Sequence, residues 1–331
     1  MTTAFDYEEL SSELIRSLRA RRSCASLSRR AGYRSNVVHR WEQQQAWPTA
    51  AAFLGVCSSL KLDVAEVYGK FFRQGPTWLG QTSPVSPEAV AAFLCQLRGK
   101  LPITAIASRT GVNRYTIARW FKGTSEPRLP DFLRMIEVLS RRLLDFISVL
   151  VDPGTLPCIR RRWARVQAAR AIAYEEPRSH AVLRALELDE YIQHGFAVPG
   201  WLERRLGMST EDIQRCIGAL QRAGQIRRRR GAWRPVSVLR VDTRADPAGA
   251  RSAKLAWLGV ATERLERNAP GNFGFSLFAI SRQDLRRIRD LHLEYVRAMQ
   301  ALIASSEKNE CVALYCAQLV DLDLGEENAL A

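Results

Sequence analysis

Residues 27–41 read LSRRAGYRSNVVHRW, and residues 106–120 read IASRTGVNRYTIARW. The second stretch is the first moved along by 79 positions without a gap, and the match extends beyond both ends. Leu18-Arg19 meets Leu97-Arg98, Arg30 meets Arg109, and Gly32 meets Gly111. Arg40-Trp41 meets Arg119-Trp120, Pro48 meets Pro127, Phe53-Leu54 meets Phe132-Leu133, and Leu60 meets Leu139. Gly, Arg-Trp and Pro rarely fall into one register by chance, so the chain carries a duplicated unit of about 65 residues.

Within each copy the spacing predicts two helices joined by a tight turn. Leu27, Ser28, Ala31, Gly32, Tyr33, Val38 and Trp41 form one set; Ile106, Ala107, Thr110, Gly111, Val112, Ile117 and Trp120 form the other. The residue at Ser28 or Ala107 has to be small because the helices touch there. The glycine four residues later can take the left-handed conformation of the turn. Val38 and Ile117 anchor the second helix to the core.

These residues resemble the Cro/phage-repressor (XRE) family of helix-turn-helix regulators over roughly residues 10–72 and 88–150. The resemblance implies that the second helix of each pair, residues 35–41 and 114–120, enters the major groove of double-stranded DNA. Carried over position by position, the contacts fall on Arg34, Ser35, Asn36, His39 and Arg40 in copy one. In copy two they fall on Asn113, Arg114, Tyr115 and Arg119, followed by Lys122. Asn pairs bidentately with adenine and Arg with guanine, whereas Arg34, Arg40, Arg119 and Lys122 equally suit phosphates, which position without specifying. Where the family often places Gln at the start of the first motif helix, this chain has Cys24 and Ile103. The family's ion pair between an Arg of the first helix and a Glu after the recognition helix is kept in copy one as Arg19 and Glu42. Copy two has Arg98 but Phe121, which leaves stacking of Arg98 on the ring.

Charge agrees with a polyanionic partner. The net charge is +15 and the pI about 10.0. Residues 1–80 and 81–152 carry +4 each, residues 153–245 carry +9, and residues 246–331 carry −2. Nucleic acid is therefore expected to meet the first three-quarters of the chain, gaining from counterion release.

The remainder divides as follows. A linker, 73–87, contains Gly75-Pro76 and Ser83-Pro84. A basic helix over 158–176 is stopped by Pro177. Residues 179–240 read as a helix from His180 to His194, a short helix from Trp201 to Leu206, and a third helix capped by Ser209 with Asp212. A hairpin around Gly231 completes the order of a winged helix. Arg227, Arg228, Arg229, Arg230 and Arg234 make that hairpin a candidate wing for the DNA backbone. Its third helix begins with Glu211-Asp212, which repels phosphates, so a structural or dimerising role stays open beside DNA contact. Residues 241–253 read as loop. Residues 254–322 read as a helix 254–267, a strand around Phe275 to Ile280, a helix Gln283 to Ser305 and a strand Val312 to Leu319, ahead of a frayed acidic tail with Glu326 and Glu327. From about residue 179 the chain also resembles the C-terminal domain of a family of bacterial regulators that joins a repressor-like N-terminus to a domain of unknown function. Trp201 to Gly207, Ala219-Leu220 to Gly224, and Phe275 to Ser281 carry that likeness, which implies regulation and names no ligand.

The fold class expected is mainly α. It comprises tandem five-helix repressor-like domains (8–72 and 88–151), a winged-helix-like α+β domain (179–240) and a small α+β C-terminal subdomain (254–322) for dimerisation or effector sensing. Leu291, Leu293, Tyr295, Val296 and Met299 lie on its long helix. Enzymatic readings fail for want of a motif. The four His (39, 180, 194, 292) lack metal-ligand spacing, and neither a phosphate-cradling Gly loop nor a nucleophile elbow occurs. Ser281 with Asp284 reads as a capping box. Seven Cys without a Cys-x-x-Cys pair point to neither a disulfide framework nor zinc. No cofactor and no metal are expected. Residues 1–10 hold Asp6, Glu8 and Glu9 and no apolar core, and no apolar run reaches the ~18 residues of a span, so the expected place is the cytoplasm, at the nucleoid. The partners expected are double-stranded DNA, a second copy of the chain, and an effector or protein of unknown kind. Two other readings stay open: an antitoxin-like protein–protein adaptor using these folds without DNA, and RNA binding through the Arg-rich hairpin, where Trp233 is the sole stacking aromatic.

Overall fold

The computed structural model describes residues 5–72, 76–236 and 246–323. The chain is mainly helical, with seventeen α-helices and one two-stranded hairpin among the described residues. It divides into two units, 1–167 and 168–331.

Copy one supplies α1 (Tyr7–Arg19), α2 (Cys24–Arg30), α3 (Val37–Glu42), α4 (Ala50–Ser59) and α5 (Val64–Phe71). Local chemistry sets their starts. Asp6 accepts hydrogen bonds from the amides of Glu8 and Glu9, Ser23 from Ser26, Thr49 from Ala52, and Asp63 from Ala65 and Glu66, which satisfies amides that a helix start leaves orphaned. Copy two repeats the order with α6 (Pro87–Arg98), α7 (Ile103–Thr110), α8 (Arg114–Phe121), α9 (Leu129–Ser140) and α10 (Leu143–Leu150).

The copies are fused rather than strung together. The amide of Ala50 donates to the carbonyl of Pro127 and the amide of Leu129 to that of Pro48, both at 2.9 Å, around a β-bridge between Thr49 and Arg128. The repeat shift carries 48, 49 and 50 onto 127, 128 and 129, so the two bonds exchange under a pseudo-two-fold axis. The same exchange relates the helices: α1 packs on α9 while α4 packs on α6, and α5 packs on α10. At the centre Phe93 of α6 meets Tyr68, Phe71 and Phe72 from copy one and Phe132 and Phe146 from copy two, with ring centroids 4.9–6.0 Å apart.

The expected linker is correspondingly not a spacer. Residues 73–75 lie outside the described residues, but Thr77–Gly80 forms a 3-10 turn. In that turn Trp78 packs edge-on against Tyr68 at 5.1 Å and donates from Nε1 to Gln96 Oε1 at 2.9 Å. Glu13 of α1 accepts the Cys158 amide at 3.1 Å, capping α11 (Pro157–Glu175).

In the second unit the expected single helix from His180 to His194 is two, α12 (Ser179–Ala185) and α13 (Asp189–Gln193). The break lets Leu186 and Leu188 both enter a core built with Val182, Tyr191, Trp201 and Leu220. A 3-10 turn Gly195–Ala197, α14 (Trp201–Leu206) and α15 (Thr210–Arg222) follow; Ser209 accepts the Asp212 amide. Strands β1 (Ile226–Arg229) and β2 (Ala232–Pro235) pair antiparallel across Arg230-Gly231, both at positive φ, the geometry of a two-residue hairpin turn. Of the second strand expected from Trp233 to Leu239, residues 233–235 lie in β2, and residues 237–245 lie outside the described residues.

Two expectations for the rest need correction. Residues 247–253 are not loop but the start of α16 (Pro247–Glu266). Asp246 caps it and Pro247 takes its first position, where a missing N–H costs nothing. Gly249 is required there by close approach: a Cβ would lie 2.7 Å from the Tyr174 ring. Neither 275–280 nor 312–319 forms a strand, so no α+β subdomain exists over 254–322 among the described residues. A strand needs a partner ladder, and Phe275 and Leu277 stand 99% and 80% exposed. Tyr315 instead lies against His292 and Tyr295 of α17 (Arg282–Ser305). Ser281 caps α17 as expected, accepting the Asp284 amide at 3.0 Å. The acidic tail, 324–331, lies outside the described residues.

Because Phe93 contacts both copies, Phe93→Ala should cost ~3–5 kcal/mol and lower the first unit in one cooperative denaturant transition. Two separated transitions would contradict a shared core. Burial, then the charge of Arg184, holds the half-buried His180 imidazole below its usual 6.5. The unfolded chain thus binds the proton more readily, so stability should fall as pH drops through about 6.5. Thermal melts of His180→Gln between pH 5 and 8 should lose that slope.

Candidate nucleic-acid interface

Each helix pair is closed by a turn that only a left-handed residue fits: φ is +84° at Gly32 and +71° at Gly111. In copy one the buried Ser28 hydroxyl accepts the Val38 amide at 3.1 Å and donates to the Cys24 carbonyl at 2.8 Å, tying α3 onto α2. Copy two has Ala107 at that position; Thr110 Oγ1 accepts the Val112 amide at 3.2 Å instead. Val38 and Ile117 are fully buried, and Trp41 and Trp120 nearly so. One face of each second helix is therefore fixed in the core.

The opposite face is polar and cationic. Arg34, Ser35, Asn36, His39 and Arg40 are exposed, as are Asn113, Arg114, Tyr115, Arg119 and Lys122. The expected segments 35–41 and 114–120 correspond to α3 and α8, except that α3 begins at Val37, so Arg34, Ser35 and Asn36 lie ahead of its first turn. Four of these side chains are already engaged, the first being Asn36, whose Oδ1 accepts from the Ser28 hydroxyl at 3.5 Å. Asn113 caps α8, its Oδ1 accepting the Tyr115 amide at 2.9 Å, which leaves the amide NH2 to donate. Arg114 lies 4.8 Å over the Tyr115 ring and donates to its hydroxyl at 2.8 Å, so the two side chains project together.

Behind the faces the copies are braced differently. Arg19 holds Glu42 through Nε–Oε1 at 2.5 Å and Nη2–Oε2 at 3.2 Å, with Glu42 largely buried. In copy two Arg98 sits 4.9 Å over the Phe121 ring and donates to the Leu101 carbonyl at 2.8 Å.

Sequence reasoning missed Arg128. It is exposed, donates to the Trp47 carbonyl at 3.0 Å, and with Tyr33, Arg40, Trp41 and Trp47 lines a cleft of about 210 Å³ beside α3. The signal was present: Arg128 occupies the repeat register of Thr49, the position where the copies pair.

The Arg-rich hairpin is split. Arg227, Arg228, Arg229 and Arg230 are exposed. Arg234 is not a free wing residue: it is half-buried, donates to the Ile192 carbonyl at 3.1 Å and packs by the Phe196 and Tyr191 rings, because β2 lies against the 195–197 turn. At the start of α15, Asp212 pairs with Arg215 at 2.5 Å, and Arg215 also with Glu176 at 2.6 Å. The hydrogen bonds from Ser209 and Arg215 hold the Asp212 carboxyl below its ordinary range. The Asp212 carboxylate therefore stays charged at the start of that helix.

No group of His, Cys, Asp and Glu able to hold a metal occurs among the described residues, and no single helix there is long and apolar enough to cross a membrane. Residues 161–320 match a family described as a domain of unknown function, DUF4423. The match takes in most of the basic helix and the second unit and leaves out α3 and α8. Neither the curated proteins nor the solved structures contain a match to the chain.

Glu42→Ala leaves the Arg19 guanidinium only its bonds to the Ala20 and Arg22 carbonyls and should cost roughly 1–3 kcal/mol, discounted for the partial exposure of Arg19. Arg98→Ala removes a half-buried stacking contact and the bond to the Leu101 carbonyl and should cost about 0.5–1 kcal/mol. Urea melts check the order; equal costs would mean the two braces are equivalent.

Proposed function

We propose that the chain is a sequence-specific, double-stranded-DNA-binding transcriptional regulator, acting as a repressor at the nucleoid in the cytoplasm and needing no cofactor or catalytic step. Two repressor-like helix-turn-helix modules, α1–α5 and α6–α10, place α3 and α8 in the major groove. The observation that carries the reading is the repeated division of one short helix. Its apolar side is locked inward by Val38 and Trp41, or by Ile117 and Trp120, while its polar, cationic side stands exposed. That face suits base edges and phosphates together, and the +4 charge of each copy favours a polyanion.

Residues 179–236 form a winged-helix-like unit whose Arg227 to Arg230 hairpin can follow the DNA backbone. The helices α16 and α17, with Leu291, Leu302 and Ile303 exposed, pair two chains into a homodimer and take the effector or protein signal.

Selection of bound sequences from random duplex DNA tests the reading. One sequence class should be enriched. Arg114→Ala should cost ~1–3 kcal/mol on it, and phosphate contacts from Arg34, Arg40, Arg119 and Lys122 should give a slope in log affinity against log salt of roughly −4 or steeper, the hairpin arginines adding to it. Uniform protection of every DNA, abolished by salt, would sink the reading. Sedimentation of the full chain should show a dimer that Leu302→Glu with Ile303→Glu dissociates.

A further inference from the structure

The structure assigns the two modules to one composite reader: we propose that a single chain binds an inverted pair of unlike half-sites, one read by α3 and the other by α8. This rests on the DNA-binding reading above and adds to it a symmetry, a spacing and a stoichiometry.

The reciprocal bonds carry it. Ala50 to Pro127 and Leu129 to Pro48 exchange under the repeat shift, and they flank a bridge between the equivalent residues Thr49 and Arg128. The crossed packing of α1 on α9 and α4 on α6, and the pairing of α5 with α10, obey the same exchange. Modules strung on a free linker would be related by no fixed operation and could read direct repeats at variable spacing. A two-fold rotation instead leaves height along its axis unchanged. Whatever end of the axis α3 faces, α8 faces too, and the two run in opposed directions. That is the local symmetry of duplex DNA, and it is the arrangement by which paired helix-turn-helix modules meet inverted half-sites.

The distances are compatible. α3 ends at Glu42 and the seam is met at Thr49; α8 ends at Phe121 and the seam is met at Arg128. Seven residues reach at most about 25 Å, while successive major grooves on one face of DNA, ~34 Å apart, ask about 17 Å on each side of the axis. Tyr33, Arg40 and Trp47 line a cleft closed by Arg128 of the other copy, so open space rather than packed core separates the α3 side of copy one from the seam.

The heads differ where bases are met. Arg34, Ser35, Asn36 and His39 stand against Asn113, Arg114, Tyr115 and Ala118 in the repeat register. Identical halves would therefore match one head and mismatch the other. A dimer of chains carries two such readers and engages two composite sites.

The test uses the full-length protein and random duplex DNA. The enriched site should hold two inverted, non-identical halves centred 10–10.5 base pairs apart. Asn36→Ala should lower affinity about 5- to 150-fold on the intact site and have no further effect once its own half is scrambled, while Arg114→Ala should behave so for the other half. Both residues are exposed, and circular dichroism of the variants confirms folding. With wild-type protein, inserting 5 base pairs between the halves should reduce binding to that of a single half. An enriched site made of identical halves, each sensitive to both substitutions, overturns the proposal and leaves the DNA reading standing, as do direct repeats or indifference to the insertion. Absence of any enriched sequence overturns both.

Discussion

Phe93 touches five aromatic rings, two on the C-terminal side of it and three on the N-terminal side. Each buried ring contributes ~1.5–3 kcal/mol by leaving water, and edge-to-face pairs add a little more. No such cluster could be assembled from one copy. Leu14 stands where the repeat would put a second Phe93, and Val67 where it would put a second Phe146. The duplicated sequence has specialised its large rings to fill one centre, and the orientation of α3 relative to α8 descends from that centre and from the reciprocal bonds of the Ala50 and Leu129 amides.

The legible parts of the fold were those written in local chemistry. Cap residues, the Gly32 and Gly111 turns and the apolar spacing of Val38 and Trp41 can be read from sequence because each acts within a few residues. The Arg19–Glu42 pair and the stacking of Arg98 on Phe121 were legible through the family pattern. What escaped depended on tertiary partners. Pro, Gly and Ser between the copies suggested a spacer, yet Trp78 found a place against Tyr68. The break near Leu186 is invisible to periodicity, since both halves are good helix. Asp246-Pro247 carries a helix-start signal as readily as a loop signal. The runs 275–280 and 312–319 are short and largely apolar like strands, but an apolar run reports a surface that wants covering, not that a ladder exists.

Within the candidate interface the same division holds. Exposure of Asn36 and Arg114 follows from the helical phase fixed by Val38 and Ile117. The engagement of Arg234 by Ile192, and of Asp212 by Arg215, does not follow from any local pattern. Five arginines in one hairpin look alike in sequence, and only packing against the 195–197 turn separates Arg234 from the four that remain exposed.

The fusion across the seam has a bearing on how such a protein changes. In an assembly of identical subunits, every substitution is made twice, and both halves of the target must shift together. Here Arg40 and Arg119, or Asn36 and Tyr115, are encoded separately although they sit in one compact unit. On the proposed reading each head could therefore drift while its twin held the complex in place, and new targets would be reached in single steps that leave half of the old recognition intact.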